Sequence, residues 1–185
     1  MKGLFQADKK NMERMDERVV ETAFDSLQYF LLDSNWDWRP VHVQVARDSD
    51  KLLGGYDDSA LSIDETGIPK KGKMSVGVVR QGREQLGKVD NCQGAVFAAL
   101  GRGHFSTPID CRLFMPGAWV KDSDRCKKAK IPEDRIVFKT KHEQALEMIF
   151  STRKNGVRFK GVGFDGFYGD NRAFLRNSPI MAKNL

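Results

Sequence analysis

Hydrophobic positions in the first 55 residues repeat at helical spacing. Apolar residues recur there every three or four positions, which places their side chains on one face of an α-helix. The pattern forms three stripes, namely Met12, Met15 and Val19; Leu27, Phe30 and Leu31; and Val41, Val45 and Leu52. Gly54 and Gly55 follow and favour the end of a helix. The pattern predicts an N-terminal helical region over residues 1–55.

From Ser59 onward the pattern changes to short runs rich in Val, Ile and Phe between turn residues, which is typical of β-strands. The runs are SALSID (59–64), MSVGVVR (74–80), CQGAVFAAL (92–100) and FSTPIDCRLFM (105–115). Their connections are short enough for antiparallel neighbours. The sequence therefore predicts three or four antiparallel strands.

A helix and one more strand follow. Thr140 and Glu143 have the spacing of a capping box, and Gly156 is placed to end the helix. Its predicted face consists of Ala145, Met148, Ile149 and Thr152. The segment RFKGVGFD (158–165) then reads as a strand. If the helix is a crossover, this strand runs parallel to an earlier one, so the fold class is α/β with a mixed sheet.

Charge is distributed unevenly along the chain. The net charge of +6 divides into −6 for residues 1–65, +9 for residues 66–141 and +3 for residues 142–185. A basic centre predicts a surface that binds a polyanion, although a solvated lysine-rich face fits the charge equally well. No run approaches the ~20 apolar residues that cross a bilayer, and the start MKGLFQADKK lacks the apolar region of a signal peptide. We therefore expect a cytoplasmic protein with no membrane partner.

Two aspartates occupy equivalent places at the ends of apolar runs. Asp64 ends ALSI and Asp165 ends VGF. If their strands are parallel neighbours, the two carboxylates face each other and can share divalent metal ions that activate a nucleophile and stabilise a leaving oxygen. The alternative is that both are turn residues, because D-E-T-G and D-G are good turn formers. Spacing alone favours the turn interpretation.

Several motifs together resemble a known family. They are Asp64–Gly67 (DETG), Lys70–Gly72 (KKG), Arg80 with Gln81, Asn91–Gln93 (NCQ), IDCRLFMPGAWVKDSDRC (109–126) and FDGFYGD (164–170). This combination is similar to a bacterial insertion-sequence transposase family with a DDE catalytic domain. The sequence departs from the family at Cys111 and Arg112, where the motif has Arg and Glu.

The resemblance implies an RNase H-like fold, with residues 56–185 as a partial catalytic domain. Asp64 would lie on the first strand and Asp165 on the fourth, and together they would hold two Mg²⁺ (or Mn²⁺) ions. The family's third acidic ligand is a glutamate well downstream of the second aspartate, whereas no glutamate follows Glu147 here. We therefore expect a C-terminally truncated chain that is inactive alone and whose uncovered sheet favours self-association.

The expected function is that of a transposase fragment whose intact form cleaves and transfers DNA strands. Its partners would be double-stranded DNA at transposon ends and at the target. Two alternatives stay open: a catalytically inactive DNA-binding remnant, and a related RNase H-like nuclease that cuts without joining.

Candidate DNA contacts follow the first aspartate. Lys70, Lys71, Lys73, Arg80 and Arg83 could bind phosphates of a DNA end, although a solvated turn is the commoner role for any single lysine. Trp36, Trp38 and Trp119 could stack on an unpaired base, but anchoring in the core is the commoner role for tryptophan. Asp110 is expected to serve sheet pairing, and Glu65 is expected in a turn.

Overall fold

The computed structural model describes residues 17, 26, 28–30, 33–34, 37–83 and 88–171, and for residues 81–83, 88 and 89 the backbone alone. The chain divides into two compact units, Met1–Trp38 and Arg39–Leu185. In the first unit, residues 28–30 are helical, and the other positions of the first two predicted stripes lie outside the described residues. The division into a helical region (1–55) and a partial catalytic domain (56–185) stays a prediction. No helix among the described residues is long and apolar enough to cross a membrane.

The second unit begins with helix α1, Arg39–Leu53. A helix was predicted here, but the predicted stripe of Val41, Val45 and Leu52 is exposed. The helix instead buries Ala46, Ser49 and Asp50. The reason is a tertiary contact: Asp50 accepts hydrogen bonds from the backbone N–H (2.7 Å) and the Nε (3.0 Å) of Arg158. This contact joins two polar residues that are 108 positions apart, and it holds the Asp50 face of α1 against the rest of the unit.

The sheet contains five strands. They are β1 (Ala60–Pro69), β2 (Val78–Arg83), β3 (Lys88–Arg102), β4 (Phe105–Leu113) and β5 (Gly161–Phe164). The spatial order is β2-β3-β1-β5, and β4 also pairs with β3. Strand β3 is long enough to pair with β2 through one half and with β4 through the other. Strand β5 runs parallel to β1, whereas the other pairs are antiparallel.

Helices occupy the connection between β4 and β5 and the turn after β5. They are α2 (Gly117–Val120), α3 (Ser123–Lys128), a 3₁₀ turn (Glu133–Arg135), α4 (Lys141–Lys154) and α5 (Gly166–Gly169). The predicted capping box is confirmed, because Thr140 and Glu143 exchange both hydrogen bonds at the start of α4. Gly156 follows the helix with a φ of 88°, a left-handed conformation that glycine adopts without strain.

The main core lies on the side of the sheet that faces α1 and α4. It includes Leu61 and Ile63 of β1 and the predicted α4 residues Ala145, Met148 and Ile149. Thr152, the fourth predicted residue of that helical face, is also buried. A smaller core surrounds Met115, Trp119 and Cys126 beside β2. The result is a mixed α/β fold of the RNase H-like class, as expected from the sequence.

Candidate metal and nucleic-acid site

Asp64 lies in the middle of β1, not at its end. The strand continues to Pro69, and the segment after Asp64 stays paired with β3 as far as Pro69 opposite Cys92. The expectation of a turn at D-E-T-G was therefore wrong. The reason is that β3 offers a partner along the whole length of β1, and backbone pairing outweighs the local turn preference.

Asp165 directly follows the last residue of β5. The parallel pairing of β1 and β5 ends with Ile63 beside Phe164, so Asp64 and Asp165 are the next residues on two neighbouring strands. Neighbouring strands lie ~4.8 Å apart. The structure thus brings together the two aspartates that the sequence singled out. The resemblance had implied that Asp165 belongs to the fourth strand; in the structure it follows the fifth strand in chain order.

Both carboxylates are exposed on the side of the sheet away from the main core. Leu61 and Ile63 of β1 are buried, whereas Ser62 and Asp64, which alternate with them on the other face, are exposed. In β5, Val162 and Phe164 pack against the core, and Asp165 is exposed. The two acidic side chains therefore share an open surface that a phosphodiester can approach.

Neither aspartate has an ion pair among the described residues. The Oδ1 of Asp64 accepts the backbone N–H of Glu65 at 2.7 Å. The Oδ1 of Asp165 accepts the N–H of Tyr168 at 3.5 Å and so caps α5. Like charges on adjacent strands destabilise a sheet, so a bound cation would offset this repulsion. Carboxylate oxygens are the ligands that Mg²⁺ and Mn²⁺ prefer, and the pair fits such ions as two of their ligands.

Glu65 points to the opposite face and is not part of this pair. Its carboxylate contacts the Nζ of Lys141, the first residue of α4, at 2.6 Å. Glu65 is thus a strand residue, and the expected turn role was wrong. Tyr168 is buried near these acids: burial raises the pKa of its phenol, and the charges of Glu65, Asp165 and Asp64 raise this pKa further. The phenol stays neutral across the physiological range.

A third carboxylate does not join Asp64 and Asp165 in the part of the chain that the structure describes. No group of three acidic, His or Cys side chains is placed there to hold a metal ion. Asp110 pairs with Ala98, on the core face, and contacts Arg112 at 3.4 Å. Asp170 ends α5 and is exposed.

The predicted basic residues lie beyond the far end of β1. Lys71 and Lys73 are exposed, Lys70 is half-buried, and Arg80 is exposed on β2. The side chain of Arg83 lies outside the described residues. Because β1 continues past Asp64, these lysines are roughly 20 Å from it at ~3.3 Å per residue. They are too far away to touch a phosphate at Asp64, but they can reach phosphates about six base pairs along a duplex.

Arg125 is a basic residue that the sequence analysis did not single out. It lines a groove with Lys73 and Arg80, together with Val78, Val79, Asp90 and Asn91. Its guanidinium lies 3.8 Å from the centroid of the Trp119 ring and donates to the carbonyl oxygen of Lys73 at 2.7 Å. The sequence signals for Arg125 were its place in the basic centre of the chain and in the motif segment 109–126.

Trp119 belongs to the core and is not available to a base. Its side chain is 0% exposed, and its Nε1 donates to the carbonyl oxygen of Val78 at 2.8 Å. Trp38 is partly exposed, and Trp36 lies outside the described residues. The core role that the sequence favoured for tryptophan thus holds for Trp119.

A family model described as DDE superfamily endonuclease matches residues 3–179 of the chain. Neither a curated protein nor a solved structure matches it.

Proposed function

Because the chain belongs to the DDE superfamily endonucleases, we propose that Asp64 and Asp165 hold the divalent metal of a DNA transposase. The observation that carries this proposal is the placement of two carboxylates without ion pairs on adjacent parallel strands. Endonucleases of this superfamily generally use divalent metal ions and act on DNA. Insertion-sequence ends and target DNA are the substrates that the sequence motifs favour.

Metal ions at such a site would activate the oxygen that attacks a phosphodiester and would stabilise the oxygen that leaves it. The protein holds the two carboxylates in fixed positions. Asp64 is held by a central strand that is paired on both sides, and Asp165 is held by its cap on α5. Lys141 neutralises Glu65, so the charge of that neighbouring acid is compensated on the other face. The exposed side of the sheet leaves coordination positions open to water and phosphate.

The groove lined by Lys73, Arg80 and Arg125 favours a DNA duplex that runs from the carboxylates towards these basic residues. Arg125 holds the β1–β2 connection by binding the carbonyl oxygen of Lys73, so the lysines of that connection are presented from an anchored loop. Contacts with phosphates position a duplex without reading its sequence. The groove would therefore set the direction in which a DNA end leaves the site.

Changing Lys70, Lys71 and Lys73 together to Ala should lower the salt dependence of DNA binding. Each lost phosphate contact reduces the slope of log affinity against log salt by about 0.9. We expect the slope to decrease by about 2 to 3. Fluorescence anisotropy with a labelled duplex at several salt concentrations measures this.

A matched control removes three exposed lysines at other places, namely Lys51, Lys154 and Lys160. This control changes the net charge equally, but we expect it to leave the slope close to that of the original protein. Equal slopes for the two triple variants would place the DNA path elsewhere.

The 185 residues by themselves should bind duplex DNA without catalysing strand transfer. Two magnesium ions carry four positive charges, of which two aspartates neutralise only half, and the described residues bring no third acidic group to the pair, so we expect the metal to bind weakly. An end-cleavage and strand-transfer assay with Mg²⁺ or Mn²⁺ tests this. Robust turnover that disappears in Asp64→Asn would contradict the prediction and show that a third ligand is present.

The same assay separates the alternative functions. A nuclease that cuts without joining would release cleaved ends and give no joined product. A DNA-binding remnant would retard the duplex and give neither product. A transposase would give both cleaved and joined products and would lose both in Asp64→Asn or Asp165→Asn.

A further inference from the structure

The hairpin of β2 and β3 extends beyond the rest of the sheet. Strand β3 pairs with β1 over residues 92–101 and with β4 over residues 95–102, whereas its first residues, 88–91, pair with residues 80–83 of β2. In the described part of the sheet, β2 is an edge strand. Residues 80–83 and 88–91 therefore form a two-stranded ribbon, which we call the β2–β3 ribbon.

The β2–β3 ribbon is polar and is anchored where it leaves the sheet. Its two sequences are RQGR and KVDN, so Val89 is its one large apolar residue. The backbone N–H of Lys70 donates to the carbonyl oxygen of Asn91 at 2.9 Å. The guanidinium of Arg125 donates to the carbonyl oxygen of Val78, just before the ribbon, at 3.3 Å. A ribbon with so little apolar surface is suited to a polar or charged partner.

Arg80 and Asn91 form a cross-strand pair on one face of the ribbon. They lie directly opposite each other, so their Cβ atoms are about 5 Å apart and their side chains emerge together. Asp64 lies opposite Phe97, and Asn91 is an even number of positions from Phe97 along β3. The pair is therefore on the face of the sheet that carries Asp64. Among the described residues, neither side chain has an ion pair or a hydrogen bond, so both can bind a ligand.

The dimensions of the ribbon match the major groove of DNA. Its four residue pairs extend over roughly 13 Å, and its two strands lie ~4.8 Å apart. The major groove of B-DNA is about 12 Å wide and about 8.5 Å deep, and it admits a two-stranded β-ribbon. Along β3, Asn91 is about 20 Å from the residue opposite Asp64. The ribbon would thus meet bases about six base pairs from a phosphate at the aspartates.

We propose that the β2–β3 ribbon enters the major groove of the bound DNA and that Arg80 and Asn91 read base edges there. This inference rests on the proposed function, which supplies DNA as the ligand. Arginine forms a bidentate pair with O6 and N7 of guanine, and asparagine forms one with N6 and N7 of adenine. A phosphate needs donors alone, whereas the groove beside the ribbon is also lined by the acceptors of Asp90 and Asn91. Lys73 and Arg125 supply the donors for the neighbouring phosphates.

Selection from duplexes with a run of randomised base pairs tests whether the protein reads bases. The duplexes are bound to immobilised protein, and the retained molecules are sequenced. We expect the original protein to enrich a guanine at one position and an adenine close to it. Arg80→Ala should lose the preference for guanine alone, and Asn91→Ala the preference for adenine alone. Each loss should lower the discrimination against the wrong base by roughly 5- to 150-fold.

A residue that contacts phosphate gives a different result. Its substitution weakens binding to all sequences about equally and leaves the base preference unchanged. That outcome in both Arg80→Ala and Asn91→Ala, or the absence of any base preference in the original protein, would overturn the proposal.

Base analogues in the selected duplex show which groove is read. 7-Deazaguanine removes the N7 acceptor from the major groove, whereas inosine in place of guanosine removes the 2-amino group from the minor groove. We expect 7-deazaguanine to weaken binding of the original protein but not of Arg80→Ala, and inosine to change neither. An equal effect of 7-deazaguanine on both proteins, or a loss with inosine instead, would rule out reading of guanine by Arg80 in the major groove.

Arg102→Ala is the matched control, because Arg102 lies at the other end of β3 and pairs with Asp58 at 3.2 Å. It should leave the enriched sequence unchanged. Circular dichroism melting checks that each variant is folded, and surface substitutions such as that of the exposed Arg80 usually cost little stability. A failure of base reading leaves Mn²⁺ binding at the aspartates untouched. If the aspartate variants bind Mn²⁺ like the original protein, the proposed metal site fails independently of the selection experiment.

Discussion

Asp64→Asn and Asp165→Asn should each weaken Mn²⁺ binding by more than about 100-fold, because changes outside the ligand shell already cost roughly 10- to 100-fold. Asparagine keeps the shape of the side chain and removes one negative charge. Among the described residues two carboxylates form the site, so the loss of either halves the charge that they offer to the cation. Both aspartates are exposed and lack ion pairs among the described residues, so the substitutions should leave the fold intact.

Titration of the electron paramagnetic resonance signal of free Mn²⁺ measures this affinity. The matched control is Asp57→Asn, which removes the same charge from a fully exposed side chain whose described partner is Lys160 at 3.4 Å. We expect the control to bind Mn²⁺ like the original protein. An affinity that falls equally in the control, or that falls in neither aspartate variant, would rule out a site at this pair.

Trp119→Ala should lower the free energy of unfolding by about 3–5 kcal/mol, the usual cost of removing a fully buried large aromatic side chain. Trp119 fills the smaller core with Met115 and Cys126. Its indole N–H also binds the carbonyl oxygen of Val78 at 2.8 Å, and its ring supports the guanidinium of Arg125 at 3.8 Å. The substitution therefore creates a cavity and removes two polar contacts at the β2 edge.

Urea denaturation followed by circular dichroism gives the unfolding free energy. Phe105→Ala is the control, because Phe105 is 75% exposed at the start of β4. We expect it to cost less than about 0.5 kcal/mol, as surface changes usually do. A loss of less than about 1 kcal/mol in Trp119→Ala would show that the smaller core contributes little to the fold.

The parts of the fold with local signals were predictable from the sequence. Helix α4 could be predicted because Thr140, Glu143 and Gly156 are capping residues and the apolar face between them is regular. A helix of crossover length predicted that the last strand runs parallel to an earlier one, and the structure shows that this earlier strand is β1. The approach of Asp64 to Asp165 depended on these two features, so it was also within reach of the sequence.

Features that depend on distant contacts were not predictable. The continuation of β1 past Asp64 depends on the length of β3, and the buried face of α1 depends on the pair Asp50 and Arg158. Arg125 reaches Lys73 across 52 positions of the chain. In each case a local preference, for a turn, for an apolar stripe or for a solvated arginine, was overruled by a tertiary partner.

Asp64 and Asp165 are proposed to share a divalent cation. Anomalous diffraction from crystals soaked in Mn²⁺ locates such an ion directly. We expect a peak bonded to carboxylate oxygens of both aspartates, on the side of the sheet away from α4, and no such peak in Asp165→Asn. A peak at Glu65 or Asp110 instead, or none at the aspartate pair when Mn²⁺ binds elsewhere in the same crystal, would rule out a cation shared by Asp64 and Asp165.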